Sequence, residues 1–280
     1  MFRHAPALAA AERFLAATAR VLDRRRFERL FHDGPATPVR DAVAAYAGPA
    51  GGFGHGLEPD GRGPAAQPAA VALALRTLDE ADAWDEGLAA RACDWLERVA
   101  PPEGGACFVD PAIEGWPHAP WWEPEPGRTA SLITTGPTAG TLLARAVAHP
   151  WLQRATALAW ERIDGLQEPS PYTLLGAVGF LDHAPDRARA AIAIERLGEA
   201  LRGDAMLGPL TFAPRPDSIA RGAFDGATID AALDRLAEGQ HEDGGWTFDW
   251  PAWSPVAAAE WRGSVTVDAL AVLRANGRWD

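Results

Sequence analysis

The sequence predicts an all-α fold: a single domain over residues 1–280 that forms an α/α toroid of about five to six helical hairpins. Three observations lead to this prediction. Apolar residues recur with the spacing of an amphipathic helix through most of the 280 residues. No segment shows the apolar/polar alternation of a β-strand. Long loops containing a Gly-Gly pair recur between helical segments, which is typical of a repeat protein.

Ten helical segments account for most of the chain. They alternate between strongly amphipathic segments, with Arg and Glu on one face, and nearly apolar segments rich in Ala, Leu and Val. This alternation indicates an outer and an inner layer of helices. In chain order the segments are 7–31, 38–48, 69–83, 87–100, 138–148, 155–166, 172–184, 186–201, 228–239 and 265–277.

The inner segments are rich in small residues, which favours a closed ring over an elongated solenoid. Small side chains let helices converge closely around an axis, and each hairpin must stack on a neighbour to bury its inner helix. The small residues are Ala69, Ala70, Ala72 and Ala74 in one segment and Ala139, Gly140 and Ala144 in another. Five hairpins would close the ring imperfectly, so a homodimer or a partner subunit is a further expectation.

Three loops share a Gly-Gly pair followed by an aromatic and then an acidic residue. We refer to them as the first (48–61), second (101–111) and last (239–250) Gly-Gly loops. A glycine with positive φ lets the chain leave a helix and reverse, and the aromatic side chain can fill the gap between hairpins. The segment "GPLTFAP" at 208 resembles a further, degenerate turn.

Composition excludes several classes of function. All 26 basic residues are Arg, which excludes lysine Schiff-base chemistry and a phosphate-loop lysine, and the net charge of -12 argues against nucleic acid. Cys93 and Cys107 form no CxxC pattern, so we expect two buried thiols in a reducing compartment. Because Arg3, Glu12 and Arg13 interrupt the N-terminal apolar stretch, and no run approaches about 18 apolar residues, we expect a cytoplasmic protein without an integral membrane segment.

The segment "LDRLAEGQHEDGGWTFDW" carries a resemblance to a known superfamily. Gln240, Asp243, Gly244, Gly245 and Trp246 resemble the Gln-Trp repeat of squalene and oxidosqualene cyclases, which the β-subunits of protein prenyltransferases share in looser form. The "GGFG" of the first Gly-Gly loop resembles the same element in degenerate form. The resemblance implies an α/α toroid, which several carbohydrate-active families also have, and a structural role for Trp246 between hairpins.

The chain departs from the catalytic motifs of that superfamily. It contains no DxDD, the motif whose central Asp protonates the alkene in class II cyclases, and Gln67 and Ser264 occupy the positions that would align. It also lacks the DxC zinc motif of the prenyltransferases and the DDxxD motif of class I diphosphate chemistry. We therefore expect neither a metal nor another cofactor.

The first Gly-Gly loop holds the candidates for catalysis. His55, Glu58 and Asp60 precede the first inner helix, where a toroid of this kind opens its central cavity. Paired carboxyl groups at such a mouth can have different pKa values, so that one serves as acid and the other as base or orienting group. The structural alternative is that Glu58 or Asp60 caps the following helix or pairs with Arg62 or Arg76.

Aromatic and polar side chains are the candidates for substrate binding. The irregular insertion 101–135 and the segment 246–264 are rich in Trp, and long loops often bind ligands. An indole face can stack on a sugar ring or stabilise a carbocation. The candidates are Phe53, Gln67, Trp116, Trp121, Trp122, Asp249, Trp250, Trp253, Glu260 and Trp261.

Three hypotheses of function follow. The first is a terpenoid-cyclase-like isomerase or lyase that protonates an isoprenoid or other apolar substrate through Asp60 or Glu58. The second is a carbohydrate hydrolase or epimerase with the same carboxyl pair, and the third is a non-catalytic protein that binds an apolar ligand. Apolar lining by Leu73, Leu142 and Leu174, together with Leu270, predicts a dry pocket for a hydrocarbon, whereas carboxylates and Arg would predict a sugar. Because the inner segments are apolar, the sequence favours an isoprenoid over a carbohydrate.

Overall fold

A computed structural model describes residues 8–278, and in that range the chain folds into helices joined by loops, without a named β-strand. The all-α prediction is confirmed. The helices are α1 (Leu8–Thr18), α2 (Val21–Phe31), α3 (Thr37–Ala44), α4 (Pro68–Glu80), α5 (Glu86–Val99), α6 (Leu132–Ala144), α7 (Pro150–Asp164), α8 (Pro171–Leu181), α9 (Arg187–Gly203), α10 (Pro209–Phe212), α11 (Gly226–Glu238) and α12 (Pro255–Ala275).

The predicted helix 7–31 is two helices in the structure. The chain breaks between α1 and α2, where Arg20 has an extended ψ of 157°. The Arg20 side chain donates to the Leu57 carbonyl oxygen, which lies in the first Gly-Gly loop. The break therefore brings this arginine to the loop that carries the catalytic candidates.

The last helix begins ten residues before the predicted segment, which corrects our expectation of a long loop there. Ser254 caps α12 through a hydrogen bond from the Ala257 N–H to its hydroxyl oxygen, and proline occupies the first turn, where its missing N–H is harmless. Glu260 and Trp261 consequently lie on a helix. The "GPLTFAP" segment, expected to be a turn, contains the one-turn helix α10.

Contacts between helices follow a closed circuit. Each of α2, α3, α4, α6, α8, α10, α11 and α12 contacts the next in this order, and α12 contacts both α1 and α2. The outer helices α5, α7 and α9 each pack on a helix of this circuit. This is the order that a toroid requires, although the open ring around a central axis stays a prediction.

The three Gly-Gly turns pack on the helices α5, α7 and α1 in the same way. The first glycine has a φ of 94° to 98°, and a Cβ added to it would meet one helix residue, whereas a Cβ added to the second glycine would meet the side chain four residues later. The contacts are Gly51 and Gly52 on Arg91 and Trp95 of α5, Gly104 and Gly105 on Arg154 and Leu158 of α7, and Gly244 and Gly245 on Ala10 and Phe14 of α1. The last copy thus joins the C-terminal part of the chain to the first helix.

Small residues bring α6 and α8 close together, as the composition of the inner segments predicts. A Cβ on Gly136 would lie 2.0 Å from the carbonyl oxygen of Gly176, and one on Gly140 would lie 2.3 Å from that of Gly179. Both distances are far below van der Waals contact, so only glycine fits at these two positions of α6.

Trp246 and both cysteines are buried, as expected. Trp246 is 3% exposed, and its indole N–H donates to the Leu236 carbonyl oxygen at 2.8 Å while its backbone N–H donates to Thr266 Oγ1 at 2.9 Å. Cys93 and Cys107 are free thiols whose burial raises the pKa to about 12 and about 11. Neither cysteine therefore offers a thiolate for catalysis at neutral pH.

An ion network ties α2 to α4 and α12. Arg26 on α2 is 2% exposed and contacts Asp268 at 2.6 Å, Glu80 at 3.0 Å and Asp23 at 3.6 Å. Asp23 has no exposed surface, and its Oδ2 lies 2.9 Å from the Nε of Arg20. A buried charge requires such partners, so the network fixes α2 relative to both neighbours.

Candidate active site

Asp60 is held by two indoles from distant parts of the chain. Its side chain is 6% exposed, Oδ2 accepts a hydrogen bond from the Trp121 Nε1–H at 2.9 Å, and Oδ1 accepts one from the Trp261 Nε1–H at 3.0 Å. Trp121 comes from the insertion and Trp261 from the second turn of α12. Both carboxyl oxygens are thus fixed in direction. We call Glu58, Asp60, Trp121 and Trp261 the carboxyl–indole cluster.

The environment of Glu58 favours its protonated form. Burial and, after it, the charge of Asp60 raise its pKa from the ordinary 4.5 to about 8, against the opposing effects of the Asp60 N–H, Arg20 and Arg62. Glu58 Oε2 accepts the backbone N–H of Asp60 at 2.8 Å. The two carboxyl groups of one loop therefore occupy different environments, and Glu58 is suited to donate a proton.

An ion pair joins Arg62, the residue after the first Gly-Gly loop, to Glu260 on α12. Arg62 and Glu260 form two hydrogen bonds, one of them from Arg62 Nη1 to Oε1 at 3.1 Å, with 25% and 17% of their side chains exposed. Arg76 pairs instead with Glu80 and Asp268. The cap position of α4 has no side-chain hydrogen bond. In the contacts described for residues 8–278, neither Glu58 nor Asp60 caps α4 or forms an ion pair with Arg62 or Arg76.

Aromatic rings surround one side of the cluster. Trp250 stacks on Phe248 with centroids 4.6 Å apart and meets Trp261 edge-on at 5.2 Å. Trp253 donates its indole N–H to the Pro59 carbonyl oxygen at 3.1 Å. Trp121 and Trp250 keep 41% and 39% of their surface exposed. These two rings can therefore meet a ligand beside the carboxyl groups.

Phe53, Gln67 and Trp122 are buried. The Gln67 Oε1 accepts a hydrogen bond from the Asp110 N–H at 2.9 Å, and its Nε2 donates one to the Asp110 carbonyl oxygen at 3.2 Å. These two bonds hold the insertion against the start of α4. Trp122 is 2% exposed and packs edge-on against Phe108 at 5.9 Å. These contacts are structural.

The remaining predicted site residues lie at the surface. His55 is exposed and has a left-handed backbone with a φ of 56°, while its N–H donates to the Gly63 carbonyl oxygen at 2.9 Å. Trp116 is 47% exposed. Asp249 is exposed next to Trp250. No hydrogen bond connects these three side chains to the carboxyl–indole cluster among the contacts described for residues 8–278.

Sequence reasoning missed Arg20 and Tyr46. Burial raises the pKa of Tyr46, and the charges of Arg20, Asp23, Glu260 and Arg62 act on its phenol. Tyr46 therefore lies among the charged groups next to the cluster. The sequence predicted one continuous helix over 7–31, so it gave no sign that Arg20 lies in a break between two helices. No local pattern indicates a role for Tyr46. Only their proximity in space reveals them.

The raised pKa of Glu58 predicts a pH-dependent stability. Between about pH 4.5 and 8 Glu58 is protonated in the folded protein but ionised in the unfolded chain, so raising the pH over this window lowers the free energy of unfolding. Glu58→Gln lacks this effect. The compared quantity is the free energy of unfolding of Glu58→Gln minus that of wild type, measured by urea unfolding. We expect this difference to rise by about 2 kcal/mol or more from pH 5 to pH 8.

Glu242→Gln, which changes an exposed glutamate of the last Gly-Gly loop, is the matched control. Its stability relative to wild type should stay constant over the same pH range. A constant difference for Glu58→Gln as well would show that the carboxyl group of Glu58 ionises normally.

Within residues 8–278, the His, Cys, Asp and Glu side chains form no group of three or more placed to hold a metal ion. No helix in this range has both the length and the apolar character needed to cross a bilayer.

The fold of this chain is similar to that of a solved structure. It is the crystal structure of a protein from Actinoplanes, with a TM-score of 0.57 and 15% sequence identity over 98% of this chain and 92% of that one. At this identity the similarity concerns the fold alone. No family model matches the chain, and no curated protein matches it.

Proposed function

We propose that the protein is an acid–base enzyme in which Glu58 donates a proton to the substrate and Asp60 acts as the second carboxyl group. The observation that carries this proposal is the carboxyl–indole cluster. A protonated Glu58 bonds the backbone of Asp60, whose own oxygens are held by two indoles. Two neighbouring carboxyl groups in different environments can take different roles in one reaction.

The polar surroundings favour a carbohydrate over a hydrocarbon as substrate. Of the four leucines predicted to line a dry pocket, Leu142, Leu174 and Leu270 are at most 1% exposed and belong to the core, and the fourth, Leu73, is partly buried and packs against it. Glu260 and Asp268, two turns apart on one face of α12, keep exposed surface and pair with arginines. Carboxylates and guanidinium groups can bond sugar hydroxyls, and exposed indole faces can stack on sugar rings.

Hydrolysis of a glycosidic bond fits these groups. The C–O bond to the leaving group breaks as Glu58 transfers its proton to the departing oxygen. Water adds its hydroxyl to the sugar carbon, and Asp60 takes the remaining proton of that water. Trp121 and Trp261 hold the Asp60 oxygens in place, while each oxygen retains a second lone pair for this step.

A second candidate is the terpenoid-cyclase-like reaction on an isoprenoid. The stacked rings of Phe248 and Trp250 beside Trp261 support it, because ring faces stabilise a carbocation. Glu58 would again supply the proton, in this case to an alkene carbon. The Gln-Trp resemblance of the last Gly-Gly loop also supports this candidate, which shares the acid but differs in substrate.

Product analysis by mass spectrometry tests both candidates. The protein is incubated separately with a panel of oligosaccharides and a panel of polyprenyl alcohols and diphosphates. We expect shortened oligosaccharides and unchanged polyprenyl compounds. Cyclised polyprenyl products would instead establish the second candidate. Retention of a ligand without any product, measured by tryptophan fluorescence, would contradict both reactions and support the binding protein.

A further inference from the structure

We propose that Arg20 is a positioning residue of this site, because it anchors the peptide immediately before Glu58. This inference rests on the proposed role of Glu58 as the acid. Arg20 lies in the break between α1 and α2, and only 9% of its side chain is exposed. Arg20 and Leu57 are 37 residues apart in the sequence, so only the tertiary structure brings them into contact.

The Arg20 guanidinium is held at two sides. Nη1 donates to the Leu57 carbonyl oxygen at 2.7 Å, and Nε donates to Asp23 Oδ2 at 2.9 Å. Asp23 is fully buried and lies 3.6 Å from Arg26, which is bound to α4 and α12. A planar guanidinium with two fixed contacts cannot turn freely. Arg20 therefore fixes the first Gly-Gly loop relative to the ion network.

The same guanidinium acts on Glu58 through its charge. Burial and Asp60 favour the protonated form of Glu58, whereas Arg20 and Arg62 favour the ionised form. The charges of Asp23 and Glu260 in turn surround Arg20. Arg20 therefore keeps Glu58 from becoming too weak an acid to donate its proton.

Arg20→Gln tests this role through the titration of Glu58, independently of any substrate. The side-chain carboxyl carbons of ¹³C-labelled protein are followed by NMR as the pH is raised, and Glu58→Gln identifies the Glu58 signal. We expect the pKa of Glu58 to rise by at least ~0.5 in Arg20→Gln, since a nearby opposite charge is removed. Hydrogen exchange of the Asp60 amide should accelerate at least ~10-fold, since the loop loses an anchor.

Arg20→Lys separates charge from anchoring, and it keeps the test open if Arg20→Gln folds poorly. Lysine retains the charge but lacks the planar two-sided contact, so the pKa of Glu58 should stay near wild type while the Asp60 amide still exchanges faster. Arg24→Gln, an exposed arginine one turn along α2, is the matched control and should change neither measurement. An unchanged pKa and unchanged exchange in both Arg20 variants would overturn the proposal.

The titration distinguishes this inference from the proposed function. If Glu58→Gln retained full turnover, Glu58 would not be the acid, and the proposed function would fail whatever Arg20 does. If Glu58→Gln lost turnover, the alkaline limb of the pH–rate profile in Arg20→Gln should move upward together with the pKa measured by NMR. A purely structural role of Arg20 would lower turnover without moving that limb.

Discussion

Glu58→Gln should reduce turnover by about 10²- to 10⁴-fold, the range that a general acid usually contributes. The variant keeps the size of the side chain and can still accept the hydrogen bond that the Asp60 N–H donates to Oε2. It cannot transfer a proton. We therefore expect kcat to fall with little change in KM, measured on whichever substrate the product analysis identifies.

The pH profile provides a second measurement of the same prediction. Since burial raises the pKa of Glu58 to about 8, wild-type turnover should decline above that pH as the acid loses its proton. This decline should be absent from the residual activity of Glu58→Gln. Glu242→Gln should behave as wild type throughout. Full activity in Glu58→Gln would show that Glu58 is not the acid and would contradict the proposed function.

Asp23→Asn should have the largest effect on stability, a loss of about 3 to 5 kcal/mol in the free energy of unfolding. Asp23 is fully buried between Arg20 at 2.9 Å and Arg26 at 3.6 Å. Asparagine is similar in shape but carries no charge, so two mostly buried guanidinium groups lose their shared partner. Urea unfolding monitored by the many tryptophans measures the difference.

The matched control is Asp41→Asn on α3, whose side chain is 71% exposed and 4.0 Å from Arg40. An exposed pair of this kind contributes at most about 1 kcal/mol, so we expect a change within ~0.5 kcal/mol. If Asp23→Asn were as mild as Asp41→Asn, the buried network would not hold α2 in place. That result would also weaken the argument that Arg20 transmits its position to the loop.

Local patterns predicted the elements whose causes are local. The spacing of apolar residues located most helices, and the Gly-Gly pairs located the turns because positive φ favours glycine at Gly51, Gly104 and Gly244. Capping was harder to recognise. Ser254 and Pro255 start α12, but the Trp-rich segment before them resembles a loop, so the sequence placed Trp261 outside a helix.

The candidate site was predictable only in part. Glu58 and Asp60 stood out because the first Gly-Gly loop contains more polar residues than a turn requires. The partners of Asp60 lie 61 and 201 residues away, and Glu260 lies 198 residues from Arg62. A side chain such as Gln67 looks equally suitable for a ligand in the sequence, yet its amide is occupied by Asp110.

The sequence by itself determined an all-helical chain, the Gly-Gly repeat and the loop that carries the carboxyl pair, since each depends on neighbouring residues. The tertiary structure alone decided that Trp121 and Trp261 bond Asp60, that Arg20 bonds the Leu57 carbonyl oxygen and that burial raises the pKa of Glu58. Burial and charge depend on groups brought together from distant segments, and local residue patterns do not encode these distances.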